Sequence, residues 1–226
     1  MLGRWYSAES QLVSQSRLLH AAFRHFRSQR MRLFEKTFRI TPQTRILDVG
    51  GSPLIWEFAA VRPRLTILNF PSALERRRAD AALVAGDGRM LPFEDNAFDI
   101  VFSNSVIEHV GTPADQQRFA NEASRVGRHY WIQTPNRRFP VELHLMLPLI
   151  HYLPKRVQRT IVNRFTVWEY ITKPSEAERA SYTKHFLNEL NLLDRSALQC
   201  LFPDATILAE RIAGLAKSLI AVSKGR

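Results

Sequence analysis

The stretch Arg45–Pro53, RILDVGGSP, places an acid and two glycines where an apolar run ends. Ile46, Leu47 and Val49 read as a buried strand, Asp48 as the acid before the turn, and Gly50 and Gly51 as the turn itself. Glycines at the carboxyl end of a strand let bare backbone approach a ligand, and open α/β sheets bind nucleotides at that end. Asn69 closes a second apolar run, ILNF, 21 residues after Asp48. There a dinucleotide-type fold uses an acid to receive two ribose hydroxyls. An amide can accept from one hydroxyl and donate to the other, more weakly than a carboxylate. Glu75 is a fallback if its loop folds back. Gly86–Asp87–Gly88 follows a short strand and, by residue type alone, is an Asp-Gly turn. Asn104 and Ser105 stand at the carboxyl end of another strand, FDIVFS.

A second group of residues could move protons. His109 follows Glu108, but neighbours on a helix point in different directions, so the two are not read as a dyad. Glu142 and His144 lie two apart in VELHL, on one side of an extended chain. They follow QTPNRRFP, at the expected mouth of a pocket, which makes His144 a base or substrate contact and Glu142 its companion. His151 and His185 are further imidazoles in the same half of the chain. Each histidine has a plainer reading, a ring bonded locally within its own segment. Histidines and acids also raise a metal site, but no repeated ligand spacing supports one. The single cysteine, Cys200, excludes an internal disulfide, and its apolar surroundings SALQCLF predict a buried thiol.

These residues need elements to position them. Strands are predicted at Arg45–Val49, Leu65–Phe70, Ala82–Ala85, Phe98–Ser103, His129–Gln133, Thr206–Arg211 and Ser218–Val222, with Gly214 marking a hairpin-like link between the last two. Helices are predicted from about Leu54 to Val61, at Ser105–Val110, at Pro113–Arg125 and at Ser196–Phe202. Such alternation argues for an α/β fold with a doubly wound, mostly parallel sheet. Ser7–Phe38 reads as one or two helices, with Leu12, Leu19, Phe23, Phe26, Leu33 and Phe34 near helical spacing and arginines interleaved. It is either an amphipathic helix packed on the sheet or a basic helix over substrate or an anionic membrane surface. Arg138–Ser181, with its proline, leucine, histidine and aromatic content, reads as an insertion over the pocket.

RILDVGGSP, GDGRMLPF and FDIVFSNSVIEHV, in that order, resemble the class I S-adenosylmethionine (SAM)-dependent methyltransferases, of the methyltransferase type 11-like family. The resemblance is strong over Thr41–Asn136 and extends to the tail Leu193–Lys224. It implies a Rossmann-like sheet of seven strands, the last antiparallel. The chain is read as one domain: a SAM-binding core over 41–137 and the rest of the sheet over 182–226, with a helical extension over 1–40 and an insertion or lid over 138–181 that the shared core does not explain. The resemblance further implies that Gly50 and Gly51 approach the cofactor's amino-acid tail and that Asp48 holds its ammonium, directly or through water. Asn69 would meet the ribose, Asp87 and Gly88 the adenine edge with Met90 or Leu91 on its face, and Asn104 and Ser105 the neighbourhood of the methyl donor. Two departures stand out: Gly-Gly-Ser replaces a longer glycine run, and Asn69 replaces the usual acid.

The chain carries 32 Lys+Arg against 21 Asp+Glu, a formal charge of +11, which points to an anionic partner unless the charge has no specific role. The expected acceptor is a small or lipid-like molecule, anionic in character. A nucleic acid is the competing substrate, favoured by Arg76–Arg78 and by Tyr130 and Trp131. Against it, no Asn-Pro-Pro-aromatic motif appears, and Thr134–Pro135–Asn136 is a loose echo. A protein of this fold that binds a partner or membrane without catalysing is a third reading. No G-x-G-x-x-G follows the first strand, which disfavours a nicotinamide enzyme. With no secretory signal, no long apolar window and one cysteine, a cytoplasmic protein, peripheral to a membrane at most, is expected.

Overall fold

The computed structural model describes residues 17–71, 81–142, 147–164, 175–176, 187 and 190–223. Leu12, Glu75, Arg76–Arg78, His144 and His185 lie outside them. The strands are β1 (Arg45–Val49), β2 (Arg64–Asn69), β3 (Ala81–Ala85), β4 (Phe98–Asn104), β5 (Gly127–Pro135), β6 (Val141–Glu142), β7 (Leu147–Pro148), β8 (Ala205–Ile212) and β9 (Leu215–Ser223). The α-helices are α1 (Arg17–Phe38), α2 (Pro113–Val126), α3 (Lys155–Arg164) and α4 (Arg195–Leu201). Seven strands form one sheet in the order β3-β2-β1-β4-β5-β9-β8, with β9 antiparallel to both neighbours and the other pairings parallel. This is the Rossmann-like arrangement that the sequence predicts. β6 and β7 pair separately as a small antiparallel ribbon inside the expected insertion, where no strand is foreseen.

The alternation of β1 divides the interior in two. Leu47 and Val49 face a core that includes Phe119, Ala120 and Ala123 of α2 and Leu198 of α4. Ile46 faces the opposite core, with Met31 and Phe34 of α1, Trp56, Phe102 and Trp131. Asp48 shares Ile46's parity, so its side chain is directed into the second, aromatic layer. Phe34 packs edge-on against Trp56, Phe102 and Trp131 with centroids 6.2, 5.0 and 5.6 Å apart. The buried stripe of α1 is therefore Met31 and Phe34; Leu33, expected on that face, is 43% exposed because it sits off the stripe.

Several elements are shorter or differently wound than the sequence suggests. The segment after the glycine turn is a 3-10 helix at Pro53–Phe58, capped by Ser52, and does not reach Val61. The reason is a competitor: Glu35 of α1 accepts the N–H groups of Ala60 and Val61 at 2.7 and 2.9 Å. Between β4 and α2 only one 3-10 turn forms, Ile107–His109, after Ser105 has taken a left-handed φ of 56°. α2 starts as its sequence promises, on a reciprocal Thr112–Asp115 capping box with Pro113 next. Ala213 and Gly214 both have positive φ, 48° and 82°, which makes the β8–β9 link the tight hairpin expected at Gly214. Cys200 is exposed rather than buried. α4 buries Leu198, and two residues further on the helix has turned away from the core.

Candidate functional site

A cleft of about 230 Å³, partly open to solvent, lies at the carboxyl ends of β1, β2 and β3. Gly50, Asn69, Gly86, Asp87 and Gly88 line it on the polar side, and Leu68, Phe70, Val106, Val110 and Phe119 on the apolar side. The floor has no room for side chains. A Cβ on Gly50, whose φ is 71°, would stand 2.6 Å from Val106, and one on Gly88 would stand 2.8 Å from Val49 and 2.9 Å from Phe119. Gly51 is buried behind the wall rather than in it, and a Cβ on it would fall 1.9 Å from the Asp48 carboxylate. Bare backbone thus lies directly on the packed layer beneath. Gly50 is fixed there by donating its N–H to the Leu68 carbonyl at 2.8 Å.

Asp48 is completely buried below this turn and is not part of the cleft wall. Its Oδ2 accepts from Trp56 Nε1 at 2.8 Å, while Oδ1 has no hydrogen-bond partner among the described residues. Burial pushes its pKa up to about 7, against the smaller opposing pull of the Trp56 bond. Asn69 spends both ends of its amide locally. Its Nδ2 donates to the Gly51 carbonyl and its Oδ1 accepts from the Phe70 N–H, each at 2.9 Å. That tie explains the amide in place of an acid, because a carboxylate has no proton to give Gly51. One N–H and one lone pair of Asn69 remain over for a ligand.

Asp87 is gripped by Arg89, whose Nη2 lies 2.6 Å from Oδ2 and whose backbone N–H donates to Oδ1 at 2.9 Å. The Arg89 bonds hold the Asp87 carboxyl below its ordinary range although burial acts the other way. Arg89 also reaches Asp115 and the Val110 carbonyl, each at 3.3 Å, so it ties the β3 loop to the start of α2. Sequence reasoning overlooks Arg89, although its place directly after Asp87–Gly88 is a usable signal. Met90 and Leu91 do not flank the cleft. Met90 is exposed, and Leu91 is buried in the core that contains Phe119.

His109 is in the cleft wall. The 3-10 winding brings its Nε2 to 3.9 Å from Oε1 of Glu108, a distance for charge attraction when the ring is protonated rather than for a hydrogen bond. Glu108 is fully buried and accepts from Thr134 Oγ1 at 3.1 Å. Gln116 and Asn191 hold this turn from outside it: Gln116 Nε2 donates to the Ile107 carbonyl at 3.0 Å, and the Asn191 N–H donates to the Glu108 carbonyl at 2.9 Å. Asn104 and Ser105 end β4 behind the cleft rather than in its wall. Asn104 Oδ1 accepts from Arg30 Nη1, and Ser105 Oγ donates to Gln133 Oε1 at 2.9 Å. Glu142, buried on β6, is likewise not in the wall. His151 lies against Tyr152, with centroids 4.2 Å apart, and burial lowers its pKa. Among the described residues no group of three or more His, Cys, Asp or Glu is placed to hold a metal ion.

Comparison with known proteins agrees with this geometry. Residues 61–129 match the family described as "Methyltransferase domain". An uncharacterized methyltransferase of Mycobacterium sp. (strain KMS) is 35% identical over 103 residues, which is 42% of this chain and 40% of that protein. The chain thus matches well under half the length of the curated relatives it resembles. Among solved structures, a chain of the Haloferax volcanii complex with the Trm112 methyltransferase activator superposes with a TM-score of 0.53 at 13% identity, over 98% of this chain and 92% of that one. The PH0226 protein of Pyrococcus horikoshii OT3 superposes with a TM-score of 0.51 at 17% identity, over 84% of each chain. Identities this low speak to the fold alone. Residues 61–129 thus resemble a methyltransferase domain, and they lie within a Rossmann-like sheet of seven strands.

Proposed function

We propose that the chain is a SAM-dependent methyltransferase acting on a small or lipid-like acceptor. The observation that carries the reading is the floor of the cleft, where Gly50 and Gly88 leave no space for a Cβ and expose backbone to a ligand. In this reading Gly50 and Gly51 take the amino-acid tail of SAM, and the unbonded Oδ1 of Asp48 answers its ammonium from below, directly or through water. Asn69 offers its spare N–H and lone pair to the ribose, Asp87 and Gly88 meet the adenine edge, and Val110 and Phe119 supply apolar wall. Asn104 and Ser105 support the end of β4 from behind the cleft through their bonds to Arg30 and Gln133. Bound SAM supplies an electrophilic methyl on a sulfonium. The protein's part is to align an acceptor with it, which accounts for much of the rate in an in-line displacement.

His109 is positioned to take a proton where the acceptor must lose one, with Glu108 stabilising the imidazolium. Glu142 and His144 remain alternatives from the insertion, and residues 138–181 are where the acceptor's identity is decided. The formal charge of +11 supports an anionic acceptor and a peripheral contact of basic helices with an anionic membrane surface. Among the described residues no helix is long and apolar enough to cross a membrane.

Calorimetry with SAM and with its demethylated product tests the cofactor. Both are expected to bind, and Gly50→Val, whose side chain would collide with buried Val106 at a left-handed φ of 71°, to abolish binding, with circular dichroism checking that the sheet survives. Asp87→Ala is expected to weaken binding by about 1–3 kcal/mol through loss of an acceptor. Absence of binding by the native chain, or unchanged affinity in both variants, would overturn the assignment of the cleft.

A further inference from the structure

The segment 147–164 has two faces of opposite purpose. Leu147, Ile150, Gln158 and Val162 point inward and are buried. Leu149, Tyr152, Leu153 and Val157 point outward and are 54%, 52%, 37% and 43% exposed. They are four of the eight large hydrophobic side chains exposed among the described residues, and they fall within nine positions. Leu149 has φ 58° and ψ 3°, a left-handed conformation that a bulky side chain rarely adopts. The backbone is therefore turned unfavourably at the residue that presents the most exposed leucine of the group. Lys155, Arg156 and Arg159 are exposed in the same stretch, and no Asp or Glu occurs between Glu142 and Glu169.

We infer that this face docks on the surface of a membrane that contains anionic phospholipid. Leu149, Leu153 and Val157 enter the boundary between headgroups and acyl chains, Tyr152 sits at headgroup level, and Lys155, Arg156 and Arg159 meet the phosphates. The composition favours lipid over a protein partner. Lysine is depleted in the centre of protein interfaces, whereas basic side chains beside protruding apolar ones are the usual make-up of a segment lying in a membrane interface. The inference deepens the peripheral-contact part of the proposed function and moves it away from α1, whose Arg30 is spent inside the protein. It does not depend on methyl transfer.

Sedimentation of the full chain with vesicles tests it. Vesicles of phosphatidylcholine with phosphatidylserine are expected to retain the protein at low salt and to release it as salt rises; phosphatidylcholine alone is expected to retain little. Lys155→Gln/Arg156→Gln/Arg159→Gln is expected to weaken binding about 100-fold, from roughly 1 kcal/mol per basic residue at such a surface. Leu149→Ser/Leu153→Ser is expected to weaken it at low and high salt alike. Both variants are expected to bind the demethylated cofactor as the native chain does, which shows that they are folded and keeps this test separate from that of the cleft. Equal retention on neutral vesicles, undiminished binding by the two variants, or no binding by the native chain would overturn the inference. So would a native dimer that Leu149→Ser/Leu153→Ser converts to a monomer, because a second copy would then cover the face.

Discussion

A carboxyl group wholly inside a protein, with one oxygen bonded and the other not, favours its neutral form. Asp48 is in that position, and burial lifts its pKa to about 7. In the unfolded chain the group titrates near about 4, so between about 4 and 7 the folded state holds a proton that the unfolded state has released. The stability it contributes is complete below about pH 4 and is lost as pH rises through about 7. Asp48→Asn should therefore flatten that decline and be more stable than the native protein at pH 8, by thermal melting against pH. The same substitution should weaken cofactor binding, since it removes the charge that answers the ammonium. A native chain whose melting temperature falls no more than the variant's between pH 5 and 8 would show that Asp48 is charged in the fold. At this scale the sequence was informative about which residues gather and less so about their roles. Asp48, Asn69 and Asp87 all stand at the expected strand ends. Yet Trp56, Gly51 and Arg89, their actual partners, follow from side-chain directions that spacing does not carry.

The elements were legible where one local preference decides. The capping box of α2 and the paired positive φ at Ala213–Gly214 are written in Thr-Pro-x-Asp and in a lone glycine. They were misread where a distant group intervenes. Nothing near Leu54–Val61 announces that Glu35 takes the N–H groups the helix would have used. α4 is the short element most dependent on its cap. Asp194 accepts from the Ala197 N–H at 3.0 Å and from Ser196 Oγ at 2.7 Å. The Ala197 N–H bond, followed by the Ser196 bond and then Arg138, holds the acid down at about 2. Its folded value is depressed, so its contribution is present above the ordinary carboxylate range and is lost as pH falls through about 2. Asp194→Ala is expected to cost about 0.5–2 kcal/mol in urea unfolding at neutral pH. Asp194→Asn keeps an acceptor for the cap, so it should cost less and lose less stability between about pH 4 and 2 than the native chain does. Equal losses in the two variants would mean that the charge, not the cap, is what α4 requires.

At the scale of the whole molecule, the amino-terminal helix and the last hairpin are joined by ions that the sequence separates by 180 positions. Arg30 Nε and Nη2 each donate to Glu210 at 2.6 Å, and Lys217 Nζ stands 3.5 Å from the same carboxylate. Lys217 also lies over the Phe26 ring, 3.9 Å from its centroid. Burial pushes Glu210 upward, but Arg30 and Lys217 outweigh it and hold the carboxyl below its ordinary range. The guanidinium continues to Asn104 and Gln133, so one buried cation connects α1 and β8 to the ends of β4 and β5 behind the cleft. The interleaved arginines of α1 read in sequence as a solvent or membrane face; one of them is instead internal, and only the far strands reveal it. Breaking such a pair from one side strands a buried charge, at about 3–5 kcal/mol, while replacing both partners by apolar residues is often close to neutral. Arg30→Met is therefore expected to lower stability by about that amount, and Arg30→Met with Glu210→Leu to recover much of it, in urea unfolding of the full chain. The double variant still lacks the donor to Asn104, so its affinity for the demethylated cofactor should stay below that of the native chain even where stability returns. A single-variant loss under about 1 kcal/mol, the level of an exposed pair, would mean that α1 is held by Met31 and Phe34 alone.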